Sequence, residues 1–230
     1  MRRLWIIALL LMLTGCGTET VETPEETALT VETAGLADGR ILRAETAVVP
    51  GRADGSYDLT VTVYEAADLS APVQVIQDTV GWPTAAARWS DANFDGWPDL
   101  FYTTHTTVRN DYAAWWLWDT GAGRFEKSEA LSGLAMFPDE ESGRLTQWEE
   151  WTIQTYAYRI YGWQGDQLVC LREIKKNWAE EGSQSLACTV TDDPMGTAQV
   201  VWQSRCMAGT EEEPALDAEL QRWMDYDHKG

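Results

Sequence analysis

Residues 90–100 read Ser-Asp-Ala-Asn-Phe-Asp-Gly-Trp-Pro-Asp-Leu, and this segment constrains the fold more than any other part of the chain. Oxygen-bearing groups recur at mostly alternate positions around a glycine, Gly96. The residues that would supply them are Asp91, Asn93, Asp95, Trp97 through its backbone carbonyl, and Asp99. Glycine permits a sharp turn, so oxygens spaced in this way can converge on one hard cation. The pattern predicts a Ca²⁺ loop.

The segment differs from an EF-hand, because position 12 holds Tyr102 where that loop has a bidentate glutamate. Residues 99–108 are rich in aromatic and β-branched side chains, which favour strands over helices. We therefore predict a calcium loop between two strands, closed by Asp99. The alternative is a solvated acidic turn, since Asp, Asn and Gly also dominate ordinary turns.

The N-terminus has the pattern of a targeting segment. Arg2 and Arg3 precede an apolar run over residues 4–13, which is too short for a membrane-spanning helix. The run ends in Leu-Thr-Gly-Cys16, which resembles the lipobox of bacterial lipoproteins. The resemblance implies that residues 1–15 are a signal peptide and that Cys16 is lipidated. The expected location is the cell envelope, anchored by lipid outside the cytoplasmic membrane or in the periplasm or outer membrane.

The remaining chain divides into three parts. Residues 16–38 contain the cysteine and a Thr- and Glu-rich segment without a basic residue, which predicts a disordered acidic tether. Residues 39–209 are expected to form the folded domain. Residues 210–230 begin with a capping-box pattern from Thr210 to Glu213 and place apolar residues at helical spacing, which predicts a short C-terminal helix and tail.

Alternation of polar and apolar residues indicates strands in the folded part. Residues 57–64 place Leu59, Val61 and Val63 on one face. Further strands are predicted at residues 73–80, 113–119, 124–127, 146–161, 167–174, 185–191 and 197–204, with a loop over residues 131–144. Short hairpins at this spacing are typical of closed or radial all-β folds.

The loop at residues 91–99, followed by the hairpin over residues 115–125, resembles the FG-GAP or VCBS-type repeats of β-propellers. More narrowly, it resembles small secreted bacterial lipoproteins built as an irregular β-propeller-like domain of antiparallel hairpins around one such loop. The resemblance is carried by residues 87–127 and implies calcium ligation by the five residues named above. For some members it implies a lysozyme-inhibitor or immunity role, through binding of a cell-wall hydrolase. It implies no catalytic residue.

Three cysteines remain once Cys16 is assigned to lipid. Cys170 and Cys188 lie on opposite arms of a predicted hairpin, so a disulfide between them is one alternative and free thiols are the other. An odd count leaves at least one thiol, such as Cys206, unpaired within the chain. The cysteines lack the C-x-x-C spacing of zinc sites.

The formal net charge of −20 disfavours nucleic acid, whose phosphates would be repelled, and favours basic partners or serves solubility alone. His105 and His228 are the only histidines, and no H-E-x-x-H or G-x-S-x-G motif occurs. Because a glycosidase uses two carboxylates, adjacent acids such as Glu149 and Glu150 leave glycosidase activity as a weaker alternative. We predict a monomeric binding protein without enzymatic activity.

The 13 tryptophans bear on the choice of partner. In the predicted strand over residues 113–119, Trp116 and Trp118 share a face and Trp115 points the other way; Trp148 and Trp151 also have opposite parity. Most are expected in the core, and exposed ones can anchor a protein or stack on sugars. The two predicted partner classes are a protein, such as a basic cell-wall hydrolase, and a glycan.

Overall fold

The computed structural model describes residues 28–53 and 55–227. The predicted signal peptide, Cys16, residues 17–27 and His228 lie outside the described residues. The elements in chain order are β1 (Ala28–Gly35), β2 (Ile41–Pro50), β3 (Tyr57–Glu65), β4 (Gln74–Val80), β5 (Arg88–Ser90), β6 (Asp99–Thr106), β7 (Asp111–Asp119), β8 (Arg124–Lys127), β9 (Gly133–Leu134), β10 (Met136–Asp139), β11 (Arg144–Thr152), β12 (Thr155–Gln164), β13 (Gln167–Trp178), β14 (Ser185–Asp192), β15 (Gln199–Met207) and α1 (Glu212–Trp223).

The strands form three antiparallel sheets, which confirms the all-β prediction. The first sheet has the order β1-β2-β3-β4, and the third has the order β10-β11-β12-β13-β14-β15. The second has the order β5-β6-β7-β8, with β9 paired to β7. In the part of the chain that the structure describes, each sheet remains open at its edges.

The first and second sheets enclose one apolar core. Leu59, Val61 and Val63 are buried on one face of β3, as the alternation predicts. Across the core, Trp118 of β7 and Phe125 of β8 pack together in an edge-to-face arrangement, with ring centroids 4.8 Å apart. Sheets with one apolar face become stable in this way, by covering each other.

The prediction of a disordered tether is wrong for its last part, because β1 lies inside residues 16–38. Ala28–Gly35 pairs along its length with β2, from Ala28 opposite Val48 to Gly35 opposite Ile41. The pairing satisfies backbone hydrogen bonds at a sheet edge. It buries little apolar side-chain area, since Leu29 and Val31 remain exposed. The folded domain therefore begins no later than residue 28, and not at residue 39.

Two smaller cores flank the third sheet. On one face, Leu145 packs with Trp115 of β7 and Leu131, which joins the third sheet to the second. On the other face, Leu216, Leu220 and Trp223 of α1 pack against strands β13 to β15, as their helical spacing predicts. In the described chain, no helix is long and apolar enough to cross a membrane.

Three local predictions need correction. The single strand predicted over residues 146–161 is instead the hairpin of β11 and β12. The predicted loop over residues 131–144 contains the short strands β9 and β10, which complete neighbouring sheet edges. The predicted capping box is also wrong, because the hydroxyl of Thr210 donates to the Met207 carbonyl and does not cap the helix. The Glu213 carboxylate does reach back, but it accepts from the backbone N–H of Gly209.

The alternative of a disulfide between Cys170 and Cys188 is also corrected. Cys170, Cys188 and Cys206 are buried free thiols. Cys188 lies opposite Lys176 on β13, and Lys176 is six residues beyond Cys170 on the same strand. At about 3.3 Å per residue this separation is roughly 20 Å, far beyond the reach of a disulfide.

Candidate metal centre and aromatic surface

All five predicted calcium ligands lie in one turn, between β5 and the start of β6. Asp91 follows β5 directly, and Asp99 is the first residue of β6. The short strand β5 pairs antiparallel with β6, with Ser90 opposite Asp99, so the two ends of the turn are held side by side. Gly96 has a φ of +84°, and Phe94 also has a positive φ of 58°. These left-handed residues curl the backbone around the acidic side chains.

The acidic side chains organise the turn through its own amides. The backbone N–H of Asp95 donates to Oδ1 of Asp91 and to Oδ1 of Asn93, each at 3.2 Å. The N–H of Gly96 donates to Oδ2 of Asp91 at 2.8 Å, and that of Trp97 to Oδ1 of Asp95 at 2.9 Å. These oxygens therefore face the inside of the turn, as they do in oxygen-lined cation loops.

Asp99 is fully buried although it carries an ionisable group. Its two carboxylate oxygens accept backbone N–H bonds from Trp118 and Ala92, both at 2.9 Å. Burial is the main cause that raises the pKa of Asp99 to about 7. The two hydrogen bonds lower this pKa, and the nearby charges of Asp95 and Asp91 raise it. A buried carboxylate beside two others is a place where a cation would relieve an electrostatic cost.

Contacts from all three sheets fix the turn. Trp163 of the third sheet donates its indole N–H to the Ala92 carbonyl at 2.9 Å. Phe94 packs against the core that the second and third sheets share, and Trp97 packs against the core between the first and second sheets. Sequence reasoning found the turn but missed these anchors, because they depend on partners distant in the chain.

The donor set fits a calcium ion in its chemistry. Carboxylate, amide and carbonyl oxygens are the ligands that Ca²⁺ prefers, and Asp91, Asn93, Asp95, Trp97 and Asp99 would supply them. The ion pairs among the described residues leave Asp91, Asp95 and Asp99 without a basic partner. Each Asp99 oxygen retains a lone pair beyond its hydrogen bond.

The carboxylates are not gathered as a ready-made cluster. Within residues 28–53 and 55–227, no three Asp, Glu, His or Cys side chains lie together closely enough to hold a metal ion. Asp91 and Asp95 instead turn towards loop amides. Asn93 and the Trp97 backbone carbonyl would add amide and carbonyl oxygens, which are not among those four side-chain types. Calcium ligation by this turn therefore remains a prediction.

A second site candidate is an aromatic surface on the face of the third sheet that carries α1. We define the aromatic surface as Phe137, Trp148, Tyr156 and Tyr158. The Trp148 ring stacks on Tyr156 with centroids 4.4 Å apart and meets Tyr158 edge-on at 6.0 Å. Trp148 is 38% exposed and Phe137 54% exposed. The prediction that Trp148 and Trp151 face opposite sides is confirmed, because Trp151 bonds Glu149 on the other face.

The opposite face of the third sheet carries an ion-pair network beside a cavity of about 560 Å³. Arg159 donates to Glu173 and Glu149, each at 2.8 Å, and Lys175 contacts Glu173 at 2.6 Å. Burial raises the pKa of Glu173, but hydrogen bonds from Lys175 and Arg159 outweigh it and hold the pKa below its usual value. The charges of this network pair with one another, while the Asp193 carboxylate, which also lines the cavity, accepts hydrogen bonds from Thr197.

The fold and these sites define an all-β domain of three antiparallel sheets with an acidic turn at its centre. No protein-family model and no curated protein matches the chain. A solved structure titled "Structure of a Xanthomonas Type IV Secretion System related protein" is similar, with a TM-score of 0.52 and 11% sequence identity. The similarity covers 76% of this chain and 98% of that one. At this identity it shows a shared fold.

Proposed function

We propose that the chain is a calcium-stabilised, lipid-anchored binding protein of the bacterial cell envelope, which binds and inhibits a cell-wall hydrolase. Cys16 would carry the lipid, and the domain would act as a monomer outside the cytoplasm without enzymatic activity or nucleic-acid binding. The three meandering sheets would stand as an irregular β-propeller-like arrangement around the acidic turn. The calcium ion would hold this turn in one conformation and so keep the surrounding sheets together.

The observation that carries the proposal is the unbalanced acidic surface. The chain has 37 acidic and 17 basic residues, and many of the basic ones, such as Arg40 and Arg43, are already bound to acids. The remaining field is negative, and it attracts positively charged proteins. Enzymes that attack anionic cell walls are often basic, and complementary charge speeds the encounter with such partners.

An inhibition assay tests this proposal directly. Purified residues 17–230 are added to a panel of basic muramidases and other secreted cell-wall hydrolases, and lysis of a cell-wall suspension is followed by turbidity. We expect inhibition of at least one enzyme at micromolar protein, weakened by added salt because the association is steered by charge. Full hydrolase activity throughout the panel, together with no binding in pull-downs, would refute the proposal.

A second candidate is carbohydrate binding, favoured by the stacked rings of Trp148 and Tyr156. Aromatic faces pack well against the apolar faces of sugars. Titration with cell-wall and host or plant glycans, followed by Trp fluorescence, tests this candidate. An emission spectrum that stays unchanged with every glycan would eliminate it.

A further inference from the structure

The aromatic surface is bounded by acidic residues on two sides. Asp139 lies at the end of β10, on the same face as Phe137, and Asp217 of α1 binds Lys176, which lies opposite Tyr156 in the register of β12 and β13. Burial raises the pKa of Tyr156 to about 12 and also raises that of Tyr158; the charge of Asp217 adds to the first shift and that of Asp139 to the second. We call the rings of the aromatic surface the floor of this site, and Asp139 and Asp217 its acidic rims.

The basic residues near this floor offset its acids only in part. Lys176 is buried and binds two acids, Glu213 at 2.8 Å and Asp217 at 2.7 Å, so this group keeps an excess negative charge. Arg144 lies directly opposite Asp139 in the register of β10 and β11, and its guanidinium also contacts Asp227 at 3.5 Å and lies 4.2 Å from the ring centroid of Tyr226. On the β10 side, Glu141 adds a further exposed acid, whereas Glu140 lines a cavity beside Asp91 and Gly96 of the acidic turn.

Helix α1 covers only part of this sheet face. Its buried side chains pack with Ile174, Leu186 and Val190 of the central and outer strands. Strands β10 to β12 carry the aromatic surface, and Trp148 and Phe137 stay exposed there among the described residues. Phe137 lies opposite Thr146, two residues from Trp148, so the two rings are diagonal neighbours within reach of one ligand.

We propose that the aromatic surface is the docking site for a basic, arginine-bearing segment of a protein partner, with a guanidinium stacked on Trp148 between Asp139 and Asp217. A guanidinium binds the face of an indole and is more weakly hydrated than an ammonium group. The carboxylates of the acidic rims would balance the positive charge of the guanidinium. Neutral sugars would donate hydroxyl hydrogen bonds to these carboxylates but would bring no charge to balance theirs, and anionic wall polymers would be repelled. The assignment rests on the proposed binding of a basic hydrolase.

The experiment uses residues 17–230 and two defined probes, an acetylated Arg-Gly-Arg-Gly-Arg-Gly peptide and chitohexaose. Binding is followed by the indole N–H resonances in ¹H–¹⁵N spectra, with Trp148→Leu identifying the Trp148 signal. Trp82→Leu is the matched control, because Trp82 is 48% exposed on a loop after the first sheet. Asp139→Asn tests the rim, and Asp58→Asn is its control on an exposed position of β3.

We expect the peptide to shift the Trp148 resonance, and its affinity to fall about tenfold in Trp148→Leu and severalfold in Asp139→Asn, because anchor aromatics dominate such contacts. Both control variants should bind like the wild type. Equal peptide affinity in Trp148→Leu and wild type would overturn the proposal. So would an unshifted Trp148 signal, or loss of chitohexaose binding alone in Trp148→Leu, which would assign the surface to glycans.

The inhibition assay separates this inference from the proposed function. If the wild type and Trp148→Leu inhibit a hydrolase equally, the proposed function stands and the docking site is wrong. If the peptide binds at Trp148 but the wild type inhibits no hydrolase, the docking site stands and the proposed function is wrong. Inhibition by the wild type that Trp148→Leu weakens about tenfold, while Trp82→Leu does not, supports both.

Discussion

The indole N–H of Trp163 donates to the backbone carbonyl of Ala92 at 2.9 Å, across 71 positions of the chain. Ala92 is fully buried, so water cannot replace this donor. The bond attaches the acidic turn to the third sheet, while Asp99 attaches it to Trp118 of the second. The turn is thus a junction between sheets that otherwise contact each other mainly through side chains.

Replacement of Trp163 by Phe should lower the stability of the whole domain. The substitution keeps most of the ring but leaves the Ala92 carbonyl without its donor, which typically costs about 1–3 kcal/mol. Urea denaturation should show a lower midpoint. Trp82→Phe is the control, because Trp82 is exposed, and it should unfold within about 0.5 kcal/mol of wild type. Equal loss in both variants would contradict the role given to Trp163.

Lys176→Met should loosen α1 from the third sheet. Lys176 is the buried cation that binds Glu213 and Asp217, the two acids on the facing side of the helix. Removing one partner of a buried ion group costs roughly 3–5 kcal/mol, and the exposure of Asp217 reduces this to about 2 kcal/mol here. Hydrogen exchange should increase in residues 212–223. Lys127→Met, at an exposed position of β8, should leave exchange there unchanged.

The same contact predicts the acid dependence of stability. The hydrogen bond from Lys176 holds the pKa of Glu213 below its usual value of 4.5. A carboxyl with a lowered folded pKa stabilises the fold above its unfolded pKa, and this stabilisation is lost as pH falls through the folded pKa. Unfolding free energy measured below pH 4.5 should therefore fall less steeply in Lys176→Met than in wild type. Parallel curves for the two proteins would contradict this linkage.

The free thiols should be unreactive in the native protein. Burial raises the pKa of Cys170 to about 11 and that of Cys188 to about 12, so thiolate is scarce at pH 8. In residues 17–230, a thiol reagent should modify little before unfolding and three thiols after it. Reducing agent should leave the melting temperature unchanged. A drop in melting temperature on reduction would reveal a disulfide.

The sequence predicted those features that depend on neighbours in the chain. Alternation placed the β3 face correctly, and parity placed Trp115 and Trp118 in different cores. Features set by distant pairing were missed. The charge and small residues of β1 are typical of a tether, yet pairing with β2 and contacts with β5 order it. The disulfide alternative failed because hairpin arms were identified without their register.

In the candidate sites too, local features were predictable from the sequence and features set by distant residues were not. The spacing from Asp91 to Asp99 located the turn, but not the burial of Asp99 or its bonds to Trp118 and Ala92. The aromatic surface combines Phe137, Trp148, Tyr156 and Tyr158 from three strands, and no local pattern groups them. Only the antiparallel register brings Trp148 opposite Tyr158.

Calcium-dependent melting of Asp95→Ala tests the central claim most directly. Extracellular calcium modules often bind at about 10⁻⁴–10⁻³ M, so the scans require millimolar calcium, with excess EDTA as the reference. The wild-type melting temperature should rise with the logarithm of calcium concentration. Asp95→Ala should lose this rise and differ little from wild type in EDTA, where only its exposed bonds to the Trp97 N–H and the Asn93 side-chain amide are missing. Asp58→Ala should respond to calcium like wild type. Equal melting of wild type and Asp95→Ala in millimolar calcium would contradict the site.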